Sequence, residues 1–136
     1  MANSLYAKAK EAFLSGAINL LSDDIRAILV DTGAYTVNIS SHQFLSDIPS
    51  GARIATSTSL ANKVVTGGVF DADDISISAV SGASVEAVVL YKHTGADSTA
   101  RLILYDDTAS AGLPFTPSGG PVTVSWDNGS NKIFAL

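Results

Sequence analysis

Apolar, β-branched runs recur along this chain, each only a few residues long and each closed by a turn signal. Ile25-Arg26-Ala27-Ile28-Leu29-Val30-Asp31 is nearly continuous in its hydrophobicity, and Thr32-Gly33-Ala34 ends it. Such a run fits a strand covered on both faces. Ile75-Ser76-Ile77-Ser78-Ala79-Val80 alternates instead, and Ser81-Gly82-Ala83 follows. Val85 to Lys92 and Ala100 to Asp106 read as two adjacent central strands, with His93 to Ser98 as the hairpin loop between them. Shorter candidates are Tyr35 to Ser40, Arg53 to Thr56, Lys63 to Thr66, Val69 to Ala72, Val122 to Trp126 and Lys132 to Ala135. Gly67-Gly68 and Asp127-Asn128-Gly129-Ser130 punctuate them, and 108–120 reads as a Gly/Pro/Ser-rich loop. His42 to Ile48 reads as one helical turn before Pro49-Ser50-Gly51.

The pattern predicts an all-β fold, an antiparallel sandwich or barrel of jelly-roll type, from seven or eight short strands. One helix precedes it. Leu5, Ala9, Ala12 and Phe13 recur at helical spacing, Asn3 or Ser4 can cap the start, and Gly16 can end it. A helix this short is marginal alone and must dock. The expected organisation is a helix or arm over 1–16 and a single β domain over 17–136.

Composition narrows the function. Of 136 residues, 46% are hydrophobic and only 15% charged, so the polar surface must come from Ser, Thr, Asn and Gly. The net charge is −5 and Lys and Arg form no run, which argues against nucleic-acid binding. The chain has no cysteine, which excludes disulfides, thiolate metal sites and a thiol nucleophile. No apolar run approaches the roughly 20 residues of a membrane-spanning helix, and no secretory signal pattern opens the chain.

Chemistry-bearing patterns are sparse. The phosphate-loop, dinucleotide, nucleophile-elbow and zinc-protease motifs do not occur. Ser41, His42 and Asp47 can be drawn as a hydrolytic triad, but neighbours in sequence seldom form one; a polar loop with local capping is the simpler reading. Asp71, Asp73 and Asp74 form one acidic cluster that a hard cation could use, yet the full calcium-loop spacing is missing, and a solvated turn is favoured. Tyr91, Tyr105, Phe115, Trp126 and Phe134 could form a sugar-binding face, although aromatics on strands more often fill a core. Two N-x-S sequons, at Asn38 and Asn128, matter only on a eukaryotic secretory route. No catalytic residue, cofactor or metal is expected.

Several segments carry a resemblance. Met1-Ala2-Asn3-Ser4-Leu5-Tyr6-Ala7-Lys8, Asp24 to Thr32, Tyr35-Thr36-Val37-Asn38, His42 to Ile48 and Trp126-Asp127-Asn128-Gly129 are similar to a family of short proteins encoded among the head and tail genes of tailed bacteriophages. The likeness runs over nearly the whole chain. It implies a virion component that is not an enzyme, assembled in the bacterial cytoplasm. A capsid decoration (cement) protein, homo-oligomeric and trimeric by preference, is the first expectation, with the major capsid protein as partner. A tail or fibre component bound to a tail protein is the second, and a host-glycan-binding protein or hydrolase the third. The expected anchor is the apolar side of the N-terminal segment: Leu5, Tyr6, Ala9, Phe13 and Leu14. On that expectation, its deletion abolishes particle binding and leaves the β domain folded.

Overall fold

The computed structural model describes residues 4–107, 115–126 and 132–135. Among these, β1 (Ser4–Leu5) leads directly into α1 (Ala7–Ser15), and β2 (Ile25–Val30) follows. Two short 3-10 turns, Leu45–Asp47 and Ser50–Ala52, precede β3 (Arg53–Thr56). Then come β4 (Val64–Thr66), β5 (Val69–Asp71), β6 (Ile75–Ile77), β7 (Ala87–Lys92), β8 (Leu102–Asp106), β9 (Val122–Val124) and β10 (Phe134–Ala135).

The organising element is a five-stranded antiparallel sheet in the order β1-β8-β7-β2-β3. It does not close into a barrel, because β1 and β3 are its two ends. Two smaller antiparallel pieces accompany it, one ordered β10-β5-β4 and the other pairing β6 with β9. The all-β class and the single short N-terminal helix are therefore as expected. The strands are more numerous and shorter, and they are split among three sheets.

Side-chain alternation explains why the central strands read as continuous apolar runs. Ile25, Ala27 and Leu29 enter one core with Val88 and Leu90, whereas Ile28 and Val30 enter a second core with Ala87, Val89 and Tyr91. Each strand thus feeds both faces. In β8 the pairing with β7 shifts by one residue, leaving Ile103 as the extra residue, so Ile103 and Leu104 both join the first core.

Different material covers the two faces. The first core is closed by the small sheets, through Phe70, Ile75, Ile77, Ile133 and Phe134. The Phe70 and Phe134 rings lie 5.4 Å apart, tilted. The second core is closed by irregular chain, through Tyr35, Leu45, Ile48 and Ala52, and by Tyr6 and Ala9 from the N-terminal segment. Tyr35 to Ser40 was expected to be a strand from its alternation; it pairs with no strand. Its inward residues serve as plugs: Tyr35 is buried, Val37 and Ile39 pack against the second core, and the Ile39 carbonyl accepts the Ala7 amide at 2.9 Å.

Arg53 ties this irregular cover down. Its Nε and Nη2 donate to the Ile48 carbonyl at 2.9 and 2.6 Å, and Nη2 also donates to the Leu45 carbonyl at 2.9 Å. Its Nη1 meets Asp97 at 2.8 Å. One guanidinium thereby satisfies the Ile48 carbonyl at the end of the 3-10 turn and adds a second bond to the Leu45 carbonyl, which already accepts the Ile48 amide at 2.9 Å.

Candidate docking surface

The N-terminal segment does not hang free. Ser4 and Leu5 pair with Tyr105 and Leu104. The Tyr6 amide donates to the Ile103 carbonyl at 3.0 Å, and its hydroxyl lies 3.0 Å from that of Tyr35. Tyr6, Ala9 and Ala12 are buried. Phe13 packs between the two cores, its ring 6.2 Å from that of Phe134. Leu5 is half-buried against the first core. Of the five residues expected to anchor a partner, four are therefore occupied within the chain. The same stripe that made them look adhesive is what seats the helix. The described part of 1–16 is built into the sheet and both cores. Leu14 alone points outward, 90% exposed.

Gly16, with φ 79°, ends α1 by turning left-handed, and Ala17 donates to the Ala12 carbonyl at 2.8 Å. The chain then doubles back through 17–23. Asn19 Oδ1 accepts the Leu21 and Ser22 amides at 3.1 and 3.2 Å, while Asp23 accepts the Asn19 amide at 2.7 Å. Lys92 Nζ clamps this loop from the central sheet, 3.2 Å from the Asp23 carboxylate and 2.9 Å from the Ala17 carbonyl. Lys63 Nζ donates to the Asp23 carbonyl. The polar side of the loop is consumed by these bonds, and Leu20 and Leu21 are left on the other side.

Facing them is β4, an end strand of its sheet, with Val64, Val65 and Thr66 all exposed. Phe13, Ile18, Leu20, Leu21 and Val65 line a groove of about 310 Å³ between the loop and this edge. Leu21 is 54% exposed, Val64 51% and Val65 45%, and with Leu14 they are the large apolar residues left to water among the described residues. Of these, Leu21 and Val65 meet at the groove, which is the informative observation, since scattered exposed leucines would be ordinary. Leu20, Leu21, Val64 and Val65 escaped the sequence reading. The signal for them was weak: two leucines inside an Asn–Ser turn, and two valines side by side in a strand where one of each pair should face water.

The other sequence candidates resolve into structural roles. His42 Nδ1 accepts the Asn38 amide at 3.2 Å and lies 2.8 Å from the Tyr35 hydroxyl, which therefore donates to it. The imidazole stacks on the Tyr35 ring at 5.4 Å. Asp47 accepts the Gln43 and Phe44 amides at 2.7 and 3.1 Å, capping its own turn. Burial raises the Asp47 carboxyl, but these two amides, together with the nearby His42, outweigh it and hold the group below the usual carboxylate range. Burial likewise pushes the Tyr35 and Tyr105 hydroxyls up to about 12. Ser41, His42 and Asp47 thus form no nucleophilic relay.

In the acidic cluster, Asp74 accepts the Trp126 amide at 2.8 Å, and the Asp73 carbonyl accepts the Trp126 indole at 2.9 Å. They fasten the end of β9. Among the described residues, no group of three or more acidic, His or Cys side chains is placed to hold a metal ion. Tyr91, Tyr105 and Phe134 are buried, and Phe115 and Trp126 pack against the first core, so the five aromatics form no exposed face. The turn at 127–130 and most of the loop at 108–120 lie outside the described residues.

No protein-family model matches the chain, and no curated protein matches it.

Proposed function

We propose that this chain is a structural subunit of a tailed-phage particle, a decoration protein that binds the head by surface fit. The observation that carries the reading is the apolar groove lined by Phe13, Ile18, Leu20, Leu21 and Val65, with Leu21 and Val65 largely exposed at it. Its floor is held rigid by the Asn19, Asp23 and Lys92 bonds, so binding costs little ordering. The resemblance of the chain's segments to phage head and tail proteins supplies the setting.

The magnitudes favour many weak contacts over one strong one. A patch of this kind covers a few hundred Å². At about 25 cal/mol per Å², covering it is worth under about 10 kcal/mol. Association itself costs roughly 4–15 kcal/mol, so a single contact is weak. Repeated attachment across a lattice raises the effective affinity by a factor of about 10² or more.

Electron microscopy of particles carrying a tagged copy tests the reading. Label over the whole head, lost in a Leu21→Ser variant that folds normally, is expected. Label confined to the tail would replace it with the tail-component reading, and particles free of the chain would overturn both.

A further inference from the structure

Among the described residues the outer edge of β4 carries no strand, and its geometry selects what can pair there. Thr66 and Val69 flank the Gly67-Gly68 turn, whose φ angles of 61° and 80° suit a two-residue hairpin of the mirror-image type. In such a hairpin the flanking pair exchanges hydrogen bonds, and the next pair, Val65 with Phe70, points its amides and carbonyls outward. The Phe70 side confirms this phase, since its carbonyl accepts the Ile133 amide at 3.1 Å on the far side from β4. The amide and carbonyl of Val65 therefore point off the free edge. Its side chain shares a face with Phe70 and borders the groove.

From this we infer that β4 pairs antiparallel with β4 of a second copy of the chain, across a two-fold axis through Val65. The inference rests on reading this surface as a docking site. In that register Val65 exchanges both hydrogen bonds with its own counterpart, and Val64 lies opposite Thr66. Each Val65 side chain then comes down beside the other's groove, near Leu20 and Leu21. A contact that uses one patch twice is isologous and closes at two copies, so it does not build the trimer expected from the resemblance. With only a three-residue strand and Leu20, Leu21 and Val65 beside it on each copy, the contact falls at or below the low end for a specific interface. The dimer is accordingly weak and forms reversibly.

Sedimentation of the full chain over a range of concentrations should show a monomer–dimer equilibrium. Residue 65 faces itself only in this register, which gives a decisive pair of variants. Val65→Asp and Val65→Lys, each shown by circular dichroism to keep the fold, should each lose association at least about tenfold, because like charges sit directly opposite. Mixed in equal amounts, they should regain a dimer. The inference is overturned if the native chain stays monomeric at high concentration, if it sediments as a trimer, or if either charged variant dimerises as well as the native chain. A monomeric chain that still decorates heads overturns the pairing and leaves the head reading standing. A dimer that rescues by charge, with no chain on the particle, does the reverse.

Discussion

Replacing Tyr6 measures how far the N-terminal segment belongs to the fold. Tyr6 is 0% exposed and sits in the second core beside Ala9, Tyr35 and Tyr105. Its carbonyl accepts the Ala9 and Lys10 amides that open α1, and its amide bonds to Ile103 of β8. Tyr6→Ala removes the ring but keeps these backbone bonds. For a buried aromatic that cannot be replaced by collapse, the loss is about 3–5 kcal/mol. For a chain of this length each kcal/mol moves the midpoint by about 3–5 °C, so melting should fall by roughly 10–20 °C. Tyr6→Phe keeps the ring and loses only the 3.0 Å contact with the Tyr35 hydroxyl. Tyr35 still donates to His42, so this variant should lose about 1 kcal/mol. Thermal and urea unfolding of the three proteins, followed by circular dichroism, give both numbers. Tyr6→Ala within about 1 kcal/mol of the native protein would refute the reasoning and restore the segment as a detachable arm. The same logic reverses the expectation for a deletion of 1–16: it should leave the β domain unable to fold.

Asp47→Asn keeps a capping oxygen but loses its charge, so it should cost about 1 kcal/mol at pH 7, the difference between a charged and a neutral acceptor. The folded carboxyl lies below its unfolded value, so its contribution is present above about pH 4 and disappears as pH falls through the folded value; unfolding curves of native and variant should converge in acid. Ser57→Ala should cost about 1–3 kcal/mol, because Ser57 Oγ accepts the buried Ala27 amide at 2.9 Å and nothing else replaces it; urea midpoints will measure this. Gly16→Ala meets no atom within 4 Å, so its cost of about 1–2 kcal/mol should come from the left-handed backbone alone, and Gly16→Asn should lose less in the same assay.

Most strands were legible because their hydrophobicity is local information. Ile25 to Asp31 and Val85 to Lys92 announced burial on both faces by having almost no polar positions, and β2 and β7 sit between two cores. The short strands around Gly67-Gly68 were legible through their turn. What the sequence could not convey was which partner each apolar stripe would take. Leu5, Tyr6, Ala9 and Phe13 look the same in sequence whether they face a neighbouring protein or the molecule's own sheet, and here the sheet claims them. Tyr35 to Ser40 alternates like a strand because its side chains also alternate between core and solvent, while its backbone bonds go elsewhere. The docking surface was hidden for the opposite reason. Leu20 and Leu21 carry no periodicity, and they form a surface with Val65 only when the Asn19–Asp23 turn brings them opposite β4.

A strand with apolar residues on both sides raises a problem of alignment. Slipping β2 by one residue along β7 would exchange the contents of the two cores without placing any of Ala27, Ile28, Leu29 or Val30 in water, so hydrophobicity alone scarcely penalises the error. The penalty must come from the few polar groups that have only one correct position. Glu86, just before β7, accepts the Thr32 amide just after β2 at 2.9 Å, the Ala27 amide needs Ser57, and the pairing with β3 breaks step between Leu29 and Val30. These modest features act as the index marks of the central sheet. Erasing several together should yield molecules folded in more than one alignment, a loss of uniqueness that a stability measurement on its own would understate.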